Sequence, residues 1–306
     1  MTGPVIQSLP SAAKDAARLA VRLGAAMHEI EVHRFPDGEL RVTVGPAAVT
    51  TILYAPFDRP NENLLAVLFA ADALRRAGAQ RLVLVAPYLC YMRQDTAFHD
   101  GEAISQKVIG RLIAGAVDRV ITVDAHLHRT KKIGDVFPGI EAENLSAMPA
   151  IADFLRASGF DPATIVVGPD AESEPWVRDL ASRLKADYAV AQKTRHSDRS
   201  VEMVFAHPEM FAGRPVLLVD DIVSSGGTLL ACAKTLVAAG AKTIDAVITH
   251  ALFPPEMTRM FLAAGLRSIR STHSVPHPTN AVELDAILAE ALRREITGAG
   301  SRGLAS

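Results

Sequence analysis

Short apolar runs alternate along the chain with longer segments that have the hydrophobic spacing of helices. The apolar runs predict strands at TTILYAP (50–56), RLVLVAPY (81–88), DRVITVDAH (118–126), TIVVGPD (164–170), YAVAQK (188–193), RPVLLVDD (214–221) and TIDAVITH (243–250). Helical segments are predicted at 61–79, 105–116 and 228–241. Strands that are apolar throughout and separated by helices are typical of parallel sheets with both faces covered. The pattern therefore predicts an α/β fold.

The two halves of the chain repeat this organisation. In each half a helix ends in a glycine-containing turn that leads into a strand, as in RRAGAQRLVLVAPY and VAAGAKTIDAVITH, which indicates a duplicated domain. The segment FPGIEAENLSAMPA interrupts the pattern near residues 140–150, and a chain of 306 residues favours two domains. We expect an N-terminal domain at 1–146, a C-terminal domain at 147–290, and a helix end with a flexible tail at 291–306.

Composition and charge argue against several classes of protein. Hydrophobic residues make up 49% and charged residues 22%, as in globular rather than disordered chains. The net charge of −2 gives no basic field for a nucleic acid. No apolar run reaches the roughly 18 residues that span a bilayer. We therefore expect neither a nucleic-acid partner nor a membrane partner.

The N-terminal segment and the cysteines bear on the location of the protein. Lys14 and Arg18 lie where a signal peptide needs its apolar stretch, and we expect a helix capped by Ser11 there instead. Cys90 and Cys232 each lie inside an apolar segment, which favours small core residues over a disulfide. These features predict a cytoplasmic protein.

The stretch VLLVDDIVSSGGTLL (216–230) places Asp220 and Asp221 at the end of a buried strand. In an open parallel sheet, ligands bind beyond the carboxyl ends of the strands. The loop that follows has backbone N–H groups and hydroxyls from Ser224, Ser225 and Thr228. Gly226 and Gly227 allow a ligand to approach the backbone closely. The loop leads into a helix, whose N-terminus favours an anion. The loop thus predicts a phosphate site and the acids predict acceptors for a vicinal diol, which together indicate a sugar phosphate such as ribose 5-phosphate. An ordinary strand–helix turn is the alternative.

The same stretch resembles the phosphoribosyl pyrophosphate (PRPP) binding motif of type I phosphoribosyltransferases and of ribose-phosphate pyrophosphokinases. Further segments are similar to the pyrophosphokinases, in the same order: RFPDGELRV (34–42), PNENLLAVLFAADALRRAGA (60–79), PYLCYMRQD (87–95), GEAISQKVIGRLI (101–113), VDAHLH (123–128), VVGPDAES (166–173) and KTRHSDRSVEM (193–203). The resemblance implies two tandem phosphoribosyltransferase-like domains, with ATP bound by the first and ribose 5-phosphate by the second. It also implies transfer of a diphosphoryl group from MgATP to the 1-hydroxyl of ribose 5-phosphate, giving PRPP and AMP.

The resemblance assigns catalysis and metal binding to particular residues. Lys193 and Arg195 match the family's catalytic lysine and arginine; a solvated hairpin is the alternative interpretation of their segment. His126, with Asp124 beside it, matches a Mg²⁺ ligand position, and Asp170 matches a second. Oxygen ligands suit Mg²⁺ better than imidazole, so carboxylates and waters should complete its shell.

The histidine segment also has a pattern of its own. Asp124, His126 and His128 alternate, so an extended chain would place all three on one face. His128 departs from the family pattern. A polar strand end is the alternative interpretation of this segment, and a strand-end turn is the alternative for Asp170.

The segments RFPDGE and YMRQD are implied to hold ATP. Phe35 can stack on the base, while Asp37 and Glu39 can accept hydrogen bonds from the adenine amino group. Arg93 and Gln94 can contact phosphate and ribose. In family members the first loop reaches the ATP site of a neighbouring subunit, so the resemblance implies a homo-oligomer. The alternative interpretation of RFPDGE is a simple turn, and that of YMRQD is the polar end of a strand.

Some segments differ from the usual family pattern. Ser224 stands where many members have Asp, TAFHDG (96–101) lacks the usual basic residues, and AESEPWVRDL (171–180) lacks a glycine pair. FHDGEAIS and SSGGT are more similar to the archaeal-type branch than to the phosphate-activated, ADP-inhibited bacterial type. Two other functions stay open: a phosphoribosyltransferase that uses PRPP, which would not need RFPDGE or RQD, and a non-catalytic regulatory homologue, which would be expected to lose the lysine and arginine or the acids.

Overall fold

In a computed structural model of the chain, residues 3–197 and 200–296 are described, and for 193–202 the description covers the backbone alone. The strands are β1 (Val5–Ser8), β2 (Ala26–Glu29), β3 (Glu31–Arg34), β4 (Leu40–Thr43), β5 (Thr50–Tyr54), β6 (Arg81–Ala86), β7 (Arg119–Val123), β8 (Glu141–Leu145), β9 (Ile165–Gly168), β10 (Tyr188–Val190), β11 (Gln192–Ser197), β12 (Ser200–Val204), β13 (Pro215–Val223), β14 (Thr243–Ala251), β15 (Leu266–Thr272) and β16 (Asn280–Val282). The helices are α1 (Ala13–Leu23), α2 (Pro60–Arg76), α3 (Ser105–Ala114), α4 (Met148–Ala157), α5 (Glu174–Leu184), α6 (Gly227–Ala238), α7 (Met257–Ala263) and α8 (Asp285–Ile296).

The chain forms two compact units. Unit 1 contains the residues up to 145, residues 274–276 and those from 284 onward, and unit 2 contains 146–273 and 277–283. Helix α8 packs on α1 within unit 1, although it follows the last strand of unit 2 in the sequence. The domain boundaries expected from the sequence stay a prediction, and the compact units differ from them in the place of α8. Residues 297–306, which include most of the expected tail, lie outside the described residues.

Unit 1 is built on a six-stranded parallel sheet with the order β2-β1-β5-β6-β7-β8. The middle strands are apolar on both faces, as in β6, where every residue after Arg81 is buried. Helix α2 begins at Pro60, whose fixed φ and missing N–H suit a first helical turn. Its buried face, from Leu64 to Leu74, packs on the sheet as part of one apolar core.

Unit 2 has a six-stranded parallel sheet with the order β10-β9-β13-β14-β15-β16. Counted from its own first strand, this is the strand order of unit 1. In both units most connections between neighbouring parallel strands contain an α-helix, whereas β7 and β8 are joined through a 3₁₀ turn and β15 and β16 through a short loop. The prediction of an α/β fold with two tandem domains, each with a parallel sheet flanked by helices, is therefore confirmed.

Each unit also carries a two-stranded antiparallel hairpin between its edge strand and its third sheet strand. In unit 1 this is β3–β4, and in unit 2 it is β11–β12. The single strand expected at 188–193 is therefore wrong. Residues 188–190 pair in parallel with β9, whereas the chain from Gln192 onward leaves the sheet and pairs with β12.

Three expectations about the chain's ends and surface can be compared with the structure. The prediction that Ser11 caps the first helix is wrong: Pro10 starts a 3₁₀ turn, so Ser11 already lies inside helical backbone, and α1 begins after Ala12 without a side-chain cap. Cys90 and Cys232 are buried and free. Within the described part of the chain, no helix has the length and apolar character needed to cross a membrane.

Candidate functional site

In unit 2, Asp220 and Asp221 lie near the carboxyl end of β13. Asp221 is buried and Asp220 is partly buried. The Asp220 carboxylate accepts from the Asp221 N–H at 3.1 Å, and the Asp221 carboxylate accepts from the Ile222 N–H at 2.8 Å. Each acid is therefore held against the backbone of its own strand, at the edge of the sheet where ligands of parallel sheets bind.

The acids of unit 2 form one electrostatic group. Burial raises the pKa of Asp220 well above its ordinary value, and the carboxylates of Asp221 and Asp170 raise it further. The structure thus brings together acids from two neighbouring strand ends, β13 and β9. Such a concentration of negative charge is stabilised by hydrogen-bond donors or by a cation.

Asp170 also has a local structural role. Its side chain accepts from the backbone N–H groups of Glu172 at 3.2 Å and Ser173 at 3.3 Å, and the Asp170 N–H donates to the Ser173 hydroxyl at 3.5 Å. This capping box starts the 3₁₀ turn that precedes α5. The turn expected as the alternative for Asp170 is present, and it coexists with the electrostatic contact to Asp220.

The loop from 224 to 228 contains a glycine that the fold requires. Gly226 is buried, has φ +73°, and is the N-cap of α6. A Cβ placed there would lie 2.6 Å from the Phe261 Cζ atom. Ser224 and Thr228 are partly buried, while Ser225 and Gly227 are exposed. The first N–H groups of α6 have no partner inside the helix, so this loop is chemically suited to an anion.

In unit 1, the chain leaves β7 through a strained turn. Asp124 is buried and has φ +38°, a left-handed conformation that costs a non-glycine residue about 1–3 kcal/mol. The Asp124 N–H donates to the Leu145 carbonyl at 2.8 Å, and the Ala125 N–H donates to the Asn144 Oδ1 at 2.8 Å. Strained non-glycine residues cluster at functional sites, which makes this strand end a candidate.

His126 and His128 lie in this turn with their side chains in contact. Their Nε2 atoms are 2.7 Å apart, and their rings are perpendicular with centroids 4.3 Å apart. Because β7 ends at Val123, the alternation of an extended strand does not apply beyond it. Asp124 is buried, while His126 is partly exposed and His128 is exposed, so the expectation of one shared face is not met.

The loop after β6 carries Arg93 and Gln94. Arg93 is exposed, whereas Gln94 anchors the loop to the start of α3: its Oε1 accepts from the Ser105 hydroxyl at 2.5 Å, and its carbonyl accepts from the Gln106 N–H at 3.2 Å. Tyr91, earlier in the loop, has φ +63°. This loop is thus a second strained strand end in unit 1.

Sequence analysis missed two residues that tie these loops together. Asp95 accepts from the backbone N–H and from Nη1 of Arg129, both at 2.9 Å. Burial raises the pKa of Asp95, but the hydrogen bonds from Arg129 outweigh burial and hold the pKa below its ordinary value. The Arg129 guanidinium also lies over the Phe98 ring, 5.5 Å from its centroid. The available signals were the third residue of RQD and the arginine directly after VDAHLH.

The hairpin β3–β4 carries Phe35, Asp37 and Glu39 in its turn, and all three are exposed. The Phe35 N–H donates to the Glu39 carbonyl at 2.8 Å, and the Asp37 carboxylate accepts from the Glu39 N–H at 3.1 Å. The ring of His33 contacts Phe35 edge-on, with centroids 4.7 Å apart. The turn is therefore well defined and presents an aromatic ring and acids to solvent.

Lys193 and Arg195 lie in the hairpin β11–β12 of unit 2. In the backbone register, Lys193 is opposite Met203 and Arg195 is opposite Val201. The side chains of Lys193 and Arg195 lie outside the described part of the structure, so the role that the sequence implies for them stays a prediction.

Two family models match the chain. Residues 5–116 match the N-terminal domain of ribose phosphate pyrophosphokinase, and residues 145–279 match the phosphoribosyl transferase domain. Among similar proteins, the ribose-phosphate pyrophosphokinase of Methanopyrus kandleri is 36% identical over 281 residues, which cover 90% of this chain and 94% of that protein. That of Methanobrevibacter smithii is 32% identical over 297 residues, covering 92% and 98%.

A solved structure has the same fold over nearly the whole chain. The phosphoribosylpyrophosphate synthetase of Mycobacterium smegmatis superposes with a TM-score of 0.82 at 23% identity, covering 97% of this chain and 100% of that one. The family models, the length of the matches to relatives and the order of the segments agree with one another. The chain belongs to the ribose-phosphate pyrophosphokinase family.

Proposed function

We propose that the chain is an active ribose-phosphate pyrophosphokinase that transfers the diphosphoryl group of MgATP to the 1-hydroxyl of ribose 5-phosphate, giving PRPP and AMP. The observation that carries this proposal is the end of β13, where a partly buried acid and a buried acid are followed by a left-handed glycine at the start of a helix. A chain that had lost its sugar-phosphate site would not need this costly arrangement, because buried like charges destabilise the fold.

The proposed sugar site uses the two parts of this strand end differently. Asp220 and Asp221 accept hydrogen bonds from the vicinal hydroxyls of ribose. These hydroxyls supply the hydrogen-bond donors that a group of carboxylates needs. The loop formed by Ser224, Ser225, Gly226, Gly227 and Thr228 binds the 5-phosphate through hydroxyls and the first N–H groups of α6. Acids and anion site thus orient the sugar, with its 1-hydroxyl left to react.

The proposed nucleotide contacts come from unit 1. Phe35 stacks on the base, and Asp37 and Glu39 accept from its amino group. Arg93 pairs with phosphate, while Gln94, anchored at the start of α3, holds the loop in position. A homo-oligomer in which the β3–β4 hairpin serves a neighbouring subunit belongs to the same proposal, as does a cytoplasmic location.

Mg²⁺ is the proposed cofactor, with Asp170, His126 and Asp124 as candidate ligands. A carboxylate such as that of Asp170 suits this hard cation, whereas imidazole suits it less well. When bound, Mg²⁺ would neutralise charge that develops on the transferred group. Lys193 and Arg195 would supply further positive charge where it is needed during transfer, in a hairpin that extends outside the sheet.

The test is ³¹P NMR of the purified chain with MgATP and ribose 5-phosphate. We expect AMP and PRPP in equal amounts, dependent on both substrates. Lys193→Ala should lower the turnover number on the order of 10²–10³-fold, as loss of one positioned charge in the transition state does. Lys242→Ala, which removes an exposed lysine elsewhere in unit 2, should leave turnover unchanged.

Other outcomes would assign a different function. ATP binding without any turnover would indicate the regulatory homologue. AMP without PRPP would retain diphosphoryl transfer and require a different acceptor. Consumption of added PRPP with a nucleobase would indicate the phosphoribosyltransferase.

A further inference from the structure

The contact between His126 and His128 has the geometry of two ligands on one metal ion. Their Nε2 atoms are 2.7 Å apart. Two imidazole nitrogens that each lie about 2.1 Å from one ion, at a right angle, are about 3 Å apart. The ring centroids are 4.3 Å apart, farther than the two Nε2 atoms, so the nitrogens are at the point of contact. The observed separation is about 0.3 Å shorter than this metal-bound spacing, so the two nitrogens need to move apart by only that amount to reach it.

The backbone on both sides of the pair is fixed to the fold. Before the pair, the Ala125 N–H donates to the Asn144 side chain at 2.8 Å. After the pair, the Arg129 N–H donates to the buried carboxylate of Asp95 at 2.9 Å. Both histidines are therefore held near each other before any ligand binds, which lowers the entropic cost of a two-nitrogen site.

We propose that His126 and His128 together bind one first-row transition-metal dication through their Nε2 atoms, so that this strand end prefers Co²⁺ to Mg²⁺. Imidazole suits first-row transition metals, whereas Mg²⁺ demands oxygen ligands and keeps its waters. His128 is thus a second nitrogen ligand beside the position where the family resemblance implies one. The proposal deepens the metal requirement of the proposed function, but ion binding itself needs no substrate.

The first test is calorimetric titration of the full chain with CoCl2, and separately with MgCl2, without nucleotide. We expect one Co²⁺ per chain and a higher affinity for Co²⁺ than for Mg²⁺. His128→Ala should lower the Co²⁺ affinity at least about tenfold and change the Mg²⁺ affinity less than about twofold, because the lost ligand is a nitrogen. His126→Ala should lower the Co²⁺ affinity by a similar factor.

Two further variants separate ligation from indirect effects. His128→Asp replaces nitrogen by oxygen and should bring the Co²⁺ and Mg²⁺ affinities closer together. His207→Ala removes an exposed histidine of unit 2 and should leave both titrations unchanged. Pulsed electron paramagnetic resonance of bound Mn²⁺ should detect two coupled imidazole nitrogens in the wild type and one in His128→Ala. Because His128 is exposed, these variants should unfold at the wild-type temperature.

The metal-binding results can be distinguished from the test of the proposed function. Co²⁺ binding that is unchanged in His128→Ala, or a single coupled nitrogen in the wild type, would overturn the proposal and leave the contact as a hydrogen bond between two imidazoles. Formation of PRPP in the NMR experiment does not depend on either result. Conversely, a chain without turnover would still bind Co²⁺ through the pair.

Discussion

Units 1 and 2 have the same strand order, but their third strands end in different chemistry. Leu53 in β5 and Leu218 in β13 occupy equivalent register positions, each paired with the second and fourth strands of its sheet. Two residues later, unit 1 has the buried pair Ala-Pro at 55–56, whereas unit 2 has the acid pair at 220–221. The sheet therefore determines where a ligand site can lie, and the residues just beyond the strand determine whether one exists.

The helices that follow these strands begin differently as well. The N-cap of α2 is Arg59 with φ −109°, followed by Pro60, which gives a compact turn without exposed N–H groups at its first position. The N-cap of α6 is Gly226 in the left-handed region. Only unit 2 has at this position a helix start that a phosphate can approach closely.

In each unit one helix is held to the sheet by a different kind of interaction. In unit 1, Glu295 of α8 accepts from Arg81 at 2.7 and 2.9 Å and from Arg119 at 3.0 Å. Glu295 and Arg119 are both buried. In unit 2, the Arg270 guanidinium lies over the Phe154 ring of α4, 5.4 Å from its centroid. Charge thus stabilises the interior of unit 1, and in unit 2 buried charge is concentrated at the proposed site.

The largest effect is expected from Glu295→Gln, which removes one buried carboxylate charge from unit 1. Breaking a buried ion pair leaves an uncompensated charge and typically costs 3–5 kcal/mol; we expect about 3 kcal/mol, because Glu141 and Glu143 still face the two arginines. Urea denaturation measures the free energy of unfolding. Glu290→Gln, on the exposed face of the same helix, should change it by less than about 0.5 kcal/mol.

The pH dependence of stability tests the same ion pair. Burial raises the pKa of Glu295, but the hydrogen bonds from Arg81 and then those from Arg119 outweigh burial and lower the pKa below its ordinary value. A lowered pKa stabilises the fold above the unfolded pKa, about 4.3, and this stabilisation is lost as the pH falls through the folded pKa. The difference in the free energy of unfolding between the wild type and Glu295→Gln should therefore shrink as the pH falls below about 4. A difference that persists at low pH would contradict the ion-pair account.

These comparisons explain what the sequence could predict. Continuous apolar strands predicted both parallel sheets, and the order of acids, hydroxyls and glycines at 220–228 predicted a strand-end site, because each depends on neighbouring residues. The ion pair between Arg119 and Glu295 joins positions 176 residues apart, and the bond between Asp95 and Arg129 joins positions 34 apart. No local sequence pattern predicts pairs of residues so far apart in the chain. The departure of β11 from the sheet was missed because its residues differ little in character from those of an edge strand.

The second-largest effect is expected from Asp220, one of the two acids that distinguish the end of β13 from the end of β5. Asp220→Asn should raise the KM for ribose 5-phosphate about 10- to 100-fold, since a hydrogen bond to a charged acceptor is worth about 1.5–3 kcal/mol. Burial and the neighbouring carboxylates raise the pKa of Asp220, so its ionised form destabilises the free protein near pH 7. The same variant should therefore unfold at a higher temperature than the wild type.

Steady-state kinetics and thermal unfolding measure the two opposite effects. Asp179→Asn, which changes a partly exposed acid on α5, is the matched control and should alter neither quantity appreciably. An unchanged KM for the sugar in Asp220→Asn would remove the acid from the proposed diol contact. A loss of thermal stability would show that the acid is paired more favourably than its raised pKa implies.

The smallest effect is expected at Gly226 and Gly227, which the sequence alone does not distinguish. Gly226→Ala places a Cβ in the left-handed region, 2.6 Å from Phe261, and should cost about 1–3 kcal/mol in the free energy of unfolding. At Gly227 the nearest atom to an added Cβ is the Ser225 hydroxyl oxygen at 4.0 Å, so Gly227→Ala should leave stability within about 0.5 kcal/mol. If the phosphate approaches the loop here, Gly227→Ala should still raise the KM for ribose 5-phosphate. A normal KM in that variant would indicate that the second glycine serves neither folding nor binding, and that the phosphate is held by the hydroxyls of the loop.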